Sequence, residues 1–147
     1  MEDLTLTASS FVPYYNYAGG LRVSGTVGPM KTSGTTQTFS YSLTGVDPLC
    51  SGGAGSAGNS CGIHIHSGVT CADNAGGHYY TGAETSDPWT SIAYTSAGGA
   101  TAGSVTVNTG AIAQMAEGRA LIVHGHDGGR IGCALLSSAR GAATLIA

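Results

Sequence analysis

Charge is the first thing this chain has little of. Only 9% of its 147 residues are charged, with 5 Lys and Arg against 8 Asp and Glu and a formal net charge of −3. So few cations leave no electrostatic footprint for nucleic acid as a partner. Low charge combined with mixed apolar content also argues against a disordered, highly charged chain. No uninterrupted apolar run approaches the roughly 20 residues of a membrane span, so none is expected. Helix signals are scarce. The best stretch, Ile112 to Glu117 between Gly110 and Gly118, is a turn or two at most. A secretory leader is not visible, because Met1-Glu2-Asp3 leads straight into strand-like sequence. No internal repeat is found within the chain.

What is plentiful is glycine, with 25 residues, set between short apolar segments. That pattern suits an all-β domain rich in turns and bulges. Leu21 to Val27, Thr38 to Leu43 and Ile63 to His66 alternate apolar and polar positions. Ser91 to Thr95, Gly103 to Val107 and Ala120 to His124 follow, and Ile131 to Leu136 is a short apolar run suited to a last core strand. Seven or eight such strands predict a sandwich or barrel. Residues 1–147 are one domain's worth of chain. Ser51 to Ser60 is a low-complexity loop. The aromatic group Phe11, Tyr14, Tyr15 and Tyr17 precedes the first clear strand, as packing, as an edge hairpin or as an interface with a neighbouring domain.

Four cysteines, Cys50, Cys61, Cys71 and Cys133, make an even count in a loop-rich chain. They imply two disulfides and an oxidising compartment, against the alternative of free thiols in a cytosolic protein. Three pairings are possible and spacing does not choose among them. If disulfides form, a secretion signal has been removed. Met1 is then an expression start, and the chain is one repeat excised from a longer secreted protein with neighbouring repeat domains.

Five histidines stand among few other ionisable groups: His64, His66, His78, His124 and His126. In Ile63-His64-Ile65-His66 both imidazoles lie on one face of a strand and both isoleucines on the other. Histidines arriving from separate loops can join such a pair around one metal ion, and imidazole suits copper, zinc, iron and nickel.

Four stretches carry a resemblance. They are Gly62-Ile63-His64-Ile65-His66, the run from Cys71 through Gly76-Gly77-His78-Tyr79, Gly118-Arg119-Ala120-Leu121-Ile122-Val123-His124, and Arg130-Ile131-Gly132-Cys133. In this order they resemble the Cu/Zn superoxide dismutase family, over most of residues 21 to 136. The resemblance implies an all-β Greek-key sandwich or flattened barrel of about eight strands, immunoglobulin-like in form. It implies His64, His66, His78 and His124 as ligands of one copper ion. It pairs Cys71 with Cys133, which leaves Cys50 with Cys61. Arg130 becomes the cation that holds a small anion, and His78 the group that carries a proton.

The chain departs from the family in two places. After His78 it reads Tyr79 to Trp89 with no histidine, so the family's zinc ligands are missing and the sequence resembles the copper-only branch. Without zinc, His78 needs an acceptor for its second nitrogen. Glu84 and Asp87 are the nearby candidates, with solvated loop carboxylates as the alternative. The family's long loop between the last copper ligand and the arginine is reduced to Gly125-His126-Asp127-Gly128-Gly129. Asp127 is a candidate buttress for a ligand histidine. His126 has no family counterpart and is either an additional ligand or proton relay, or exposed.

The resemblance implies a copper enzyme that converts superoxide to dioxygen and hydrogen peroxide, and the disulfide reading implies an extracellular one, secreted or on a cell surface. The alternatives are a copper-binding module without catalysis and a structural repeat whose site is vestigial. A complete ligand set with Arg130 favours the enzyme.

Overall fold

Strict alternation in the sequence becomes strict alternation of burial. The computed structural model describes residues 4–138. In the strand Thr36–Thr44, Gln37, Phe39, Tyr41 and Leu43 are buried, while Thr38, Ser40, Ser42 and Thr44 between them face water. Chain order gives β1 Leu6–Ala8, β2 Val12–Pro13, β3 Ser24–Ser33, β4 Thr36–Thr44, β5 Ile63–Ile65, β6 Ala100–Asn108, β7 Ala120–His124, β8 Arg130–Leu135 and β9 Ser137–Ser138. A 3-10 turn spans Pro48–Gly52 and a single helical turn, α1, spans Ala113–Ala116.

The strands form two antiparallel sheets, ordered β6-β4-β3-β1-β9 and β2-β8-β7-β5. Only β3 to β4 and β7 to β8 connect neighbours within a sheet. Every other connection crosses to the opposite sheet, so the two layers are interlocked. The β4–β6 ladder runs unbroken from Thr36 opposite Asn108 to Thr44 opposite Ala100. Tyr41 lies opposite Gly103, and a Cβ there would stand 2.6 Å from the tyrosine hydroxyl; glycine leaves room for the ring to lie across the ladder.

The inner faces meet in one core. Leu6, Val27, Met30, Phe39 and Leu43 from one sheet pack with Ile63, Ile65, Leu121, Val123 and Ile131 from the other. Each such side chain contributes about 1.5–3 kcal/mol on full burial. β7 is buried on both faces, which explains its uninterrupted apolar run. Leu121 and Val123 point into the core, whereas Ala120 and Ile122 lie in a second cluster with Tyr14, Ala75 and Cys133. His64 pairs directly with Ile122, so it occupies that outer, covered face.

Several sequence expectations need correction. Ser91 to Thr95 is not a strand: it makes one isolated bridge, Gly62 with Ala93, and the amide of Tyr94 donates to Cys61 O at 2.8 Å. Leu21 to Val23 precede β3, which instead continues past Val27 with a register shift before Lys31. The helical stretch is the single turn expected, four residues flanked by Ile112 and Glu117. β1, β2 and β9 had no periodic signal, being two or three residues long. β2 is an edge strand paired with Cys133 and Gly132; of the aromatic group Phe11 precedes it and Tyr14, Tyr15 and Tyr17 follow, with Tyr14 buried and Tyr15 exposed. The expectation about Met1-Glu2-Asp3 lies outside the described residues. No helix among the described residues is long and apolar enough to cross a membrane.

Candidate metal centre

Two strands and one returning loop bring four imidazoles together. β5 pairs with β7 so that His64, His66, Ile122 and His124 share one face. After Cys71 the chain folds back along Ile65 to Gly68. Gly68 N donates to Ala75 O at 2.7 Å, Ser67 N to Gly77 O at 2.8 Å, and Tyr79 N to Ile65 O at 2.8 Å. That return sets His78 against His66 as an antiparallel bridge. Disulfides join Cys71 to Cys133 and Cys50 to Cys61. The first ties the returning loop to β8. One nitrogen from each of His64, His66, His78 and His124 lies within 4.8 Å of all the others.

On every ring the other nitrogen is already engaged. His64 Nε2 donates to Ile92 O at 2.7 Å, His66 Nδ1 to Gly76 O at 2.9 Å, and His124 Nδ1 to Gly128 O at 3.0 Å. His78 Nδ1 donates to Asp87 Oδ2 at 2.6 Å. A neutral imidazole carries one N–H, so the converging atoms are bare lone pairs: Nδ1 of His64 and Nε2 of the other three. His64 Nδ1 is buried without any hydrogen-bond partner. His66 Nε2 and His124 Nε2 face each other at 3.3 Å, both as acceptors.

Protons do not resolve this crowding. Burial pushes His64 down to about 2, with His124 and His78 adding repulsion. His66 falls to about 3, mainly through burial, against an opposing bond to Gly76 and with Arg130 contributing. His124 falls to about 4, again chiefly through burial. An orphaned buried lone pair, three further bare nitrogens and suppressed protonation fit a bound metal cation of the kind imidazole favours.

Residues after His78 fold over the site. Asp87 divides its carboxylate, Oδ2 accepting from His78 and Oδ1 from Trp89 N at 2.9 Å. Trp89 is fully buried, its indole N–H donates to Tyr79 O, and its ring lies 5.7 Å from that of His64. Of the two candidate carboxylates, Asp87 holds His78. Glu84 does not; only its backbone is bonded, to Thr81 O at 3.2 Å. Asp127 does not buttress a histidine side chain. Its Oδ1 accepts from Gly129 N at 2.9 Å and closes a turn, and the Gly128 carbonyl in that turn meets His124. His126 stands outside the four-histidine group, beside Gly55, with its amide on Asp47 Oδ2 and its carbonyl on Ser60 Oγ.

Arg130 is half-buried and held at two points. Nη1 donates to the Tyr14 hydroxyl at 2.8 Å and Nη2 to Gly76 O at 2.7 Å. The Gly76 carbonyl thus serves both His66 and Arg130. The guanidinium borders an open depression of 360 Å³ lined also by Tyr14, Asn16, Asn74 and Gly129. Sequence reasoning missed Tyr14 and the carbonyls of Gly76, Ile92 and Gly128. Carbonyls occur at every residue and carry no sequence signal.

No protein-family profile matches the chain, and no curated protein matches it. Among solved structures it is similar to a point mutant of Candida albicans superoxide dismutase 5. The TM-score is 0.59 at 14% identity, over 95% of this chain and 92% of that one. The likeness is one of fold.

Proposed function

We propose that this protein is a copper-dependent superoxide dismutase with one copper ion per domain and no zinc. The observation that carries the reading is the set of four bare imidazole nitrogens, one of them buried and unpartnered on His64. His64, His66, His78 and His124 would hold the metal. Copper would supply one-electron chemistry, alternating between Cu(II) and Cu(I), which zinc lacks. Asp87 already takes the second nitrogen of His78, which supports a site for one metal ion.

The chain's own residues have two tasks. Arg130 attracts and orients the superoxide anion. A guanidinium carries five N–H donors, and only two of them are shown engaged, so donors remain for the anion. His78 moves a proton. Its Nε2 would take one only when that nitrogen is not holding the metal, while Asp87 keeps Nδ1–H and stabilises the resulting cation. Two superoxide anions and two protons then become dioxygen and hydrogen peroxide. The two disulfides support an oxidising, extracellular setting, secreted or on a cell surface.

The test compares superoxide consumption by copper-loaded and metal-stripped protein, with the metal counted by mass spectrometry. One equivalent of copper and activity only in the loaded form are expected. Stoichiometric copper without superoxide consumption would replace this reading with that of a copper-binding module.

A further inference from the structure

We propose that Tyr14, on the edge segment of the second sheet, is a positioning residue that sets the Arg130 guanidinium for its anion. The inference rests on the anion-binding role given above to Arg130. Tyr14 is only 4% exposed, and its amide is tied to Ile131 O at 3.2 Å. Its hydroxyl stands at a junction. It accepts from Arg130 Nη1 at 2.8 Å and from the amide of Ala75 at 2.9 Å, and it faces Asn74 Oδ1 at 3.4 Å. One proton and two lone pairs are thereby all committed, so the hydroxyl has one orientation.

The consequence reaches the guanidinium by two routes. Directly, Tyr14 takes one arm of the fork while Gly76 O takes the other. Indirectly, the bond to Ala75 N fixes the backbone that presents the Gly76 carbonyl. Two separate anchors stop rotation about the Nε–Cζ bond and leave the other N–H groups in a fixed direction. Without the hydroxyl, one arm swings free and the buried Ala75 amide loses its acceptor. A preorganised donor is worth more to an anion than a mobile one, because no ordering is left to do at binding.

The experiment has two readouts. On metal-free protein, nitrogen NMR of the guanidinium should show slow Nε–Cζ rotation at Arg130 in the wild type and averaging in Tyr14→Phe. Fast rotation in the wild type overturns the proposal without need of any variant. On Cu(II)-loaded protein, azide is titrated as the anion probe and followed by spin resonance. Tyr14→Phe should weaken azide roughly tenfold, the scale of one lost charge-assisted hydrogen bond. Arg130→Ala should weaken it at least as much, and the double variant should be no worse than Arg130→Ala alone. Additive losses mean that Tyr14 acts by packing, and they sink the proposal. Unchanged affinity in Tyr14→Phe with loss in Arg130→Ala removes this inference alone. Unchanged affinity in Arg130→Ala removes the anion-binding reading and this inference with it.

Discussion

His78 Nδ1 and Asp87 Oδ2 lie 2.6 Å apart, the one histidine–carboxylate side-chain pair among the described residues. The histidine side chain is 8% exposed and the carboxylate 28%. The carboxylate fixes which nitrogen of His78 bears hydrogen, and so which one is bare.

Asp87→Asn should weaken copper binding by about ten- to a hundredfold, the usual cost of losing the partner of a ligand histidine. Glu84→Gln should leave it unchanged, since the Glu84 backbone alone is bonded locally. Competition titration against a copper chelator measures both. Equal affinities for Asp87→Asn and the wild type would remove Asp87 from the site.

Arg130→Ala should keep one equivalent of copper and lose about a hundredfold in superoxide turnover, the scale of deleting one preorganised donor. Arg130→Lys should recover only part, because an ammonium cannot reach the Tyr14 hydroxyl and the Gly76 carbonyl together. Wild-type turnover in Arg130→Ala would end its assigned role.

Metal-free protein should lose stability in acid. His64, His66 and His124 are pushed down to about 2, 3 and 4. In the unfolded chain they titrate near the ordinary 6.5. Between those values the unfolded state binds protons that the folded state refuses, so stability falls as pH falls. The contribution of neutral, buried rings is whole above about 6.5. It is lost progressively below that, with a slope approaching about 4 kcal/mol per pH unit near pH 5 if all three rings participate. Urea midpoints of stripped protein across pH 7 to 5 provide the check, and a flat profile would contradict the depressed values.

How much of this was legible depends on what sequence patterns encode. Period-two burial showed β4 and β6 because one residue in two must face the opposing sheet, whereas β7, buried on both faces, shows as an unbroken apolar run. The same pattern misled at Ser91 to Thr95. Tyr94 is indeed buried and its neighbours exposed, but alternation says which side is covered and not whether an adjacent strand accepts the hydrogen bonds. His64 and His66 were legible as a pair for the same period-two reason. Asp87 was legible only as one of two carboxylates, since the choice depends on how the loop after His78 folds. Tyr14 was not legible in this role: it lies 116 residues from Arg130 and follows a strand of two residues.

The two disulfides should separate stability from metal binding. Cys71–Cys133 closes a separation of 62 residues and Cys50–Cys61 one of 11. In the chain-entropy view their loss costs about 4 and 3 kcal/mol, so the urea midpoints of the two double-alanine variants should fall comparably. Their effects on copper should differ. The loop held by Cys71 carries the Gly76 carbonyl, which meets both His66 and Arg130, and leads directly to His78. The loop held by Cys50 touches the neighbourhood of His124 through backbone, with Cys61 N on Gly125 O, and touches His126 through Ser60 Oγ. Cys71→Ala/Cys133→Ala should therefore weaken copper by about tenfold or more, as loss of support to a ligand histidine does, with Cys50→Ala/Cys61→Ala close to the wild type. Calorimetric copper titration of both folded variants decides it. Wild-type copper affinity in Cys71→Ala/Cys133→Ala would mean that the returning loop keeps its shape without its disulfide, held by the Gly68 and Ser67 hydrogen bonds alone.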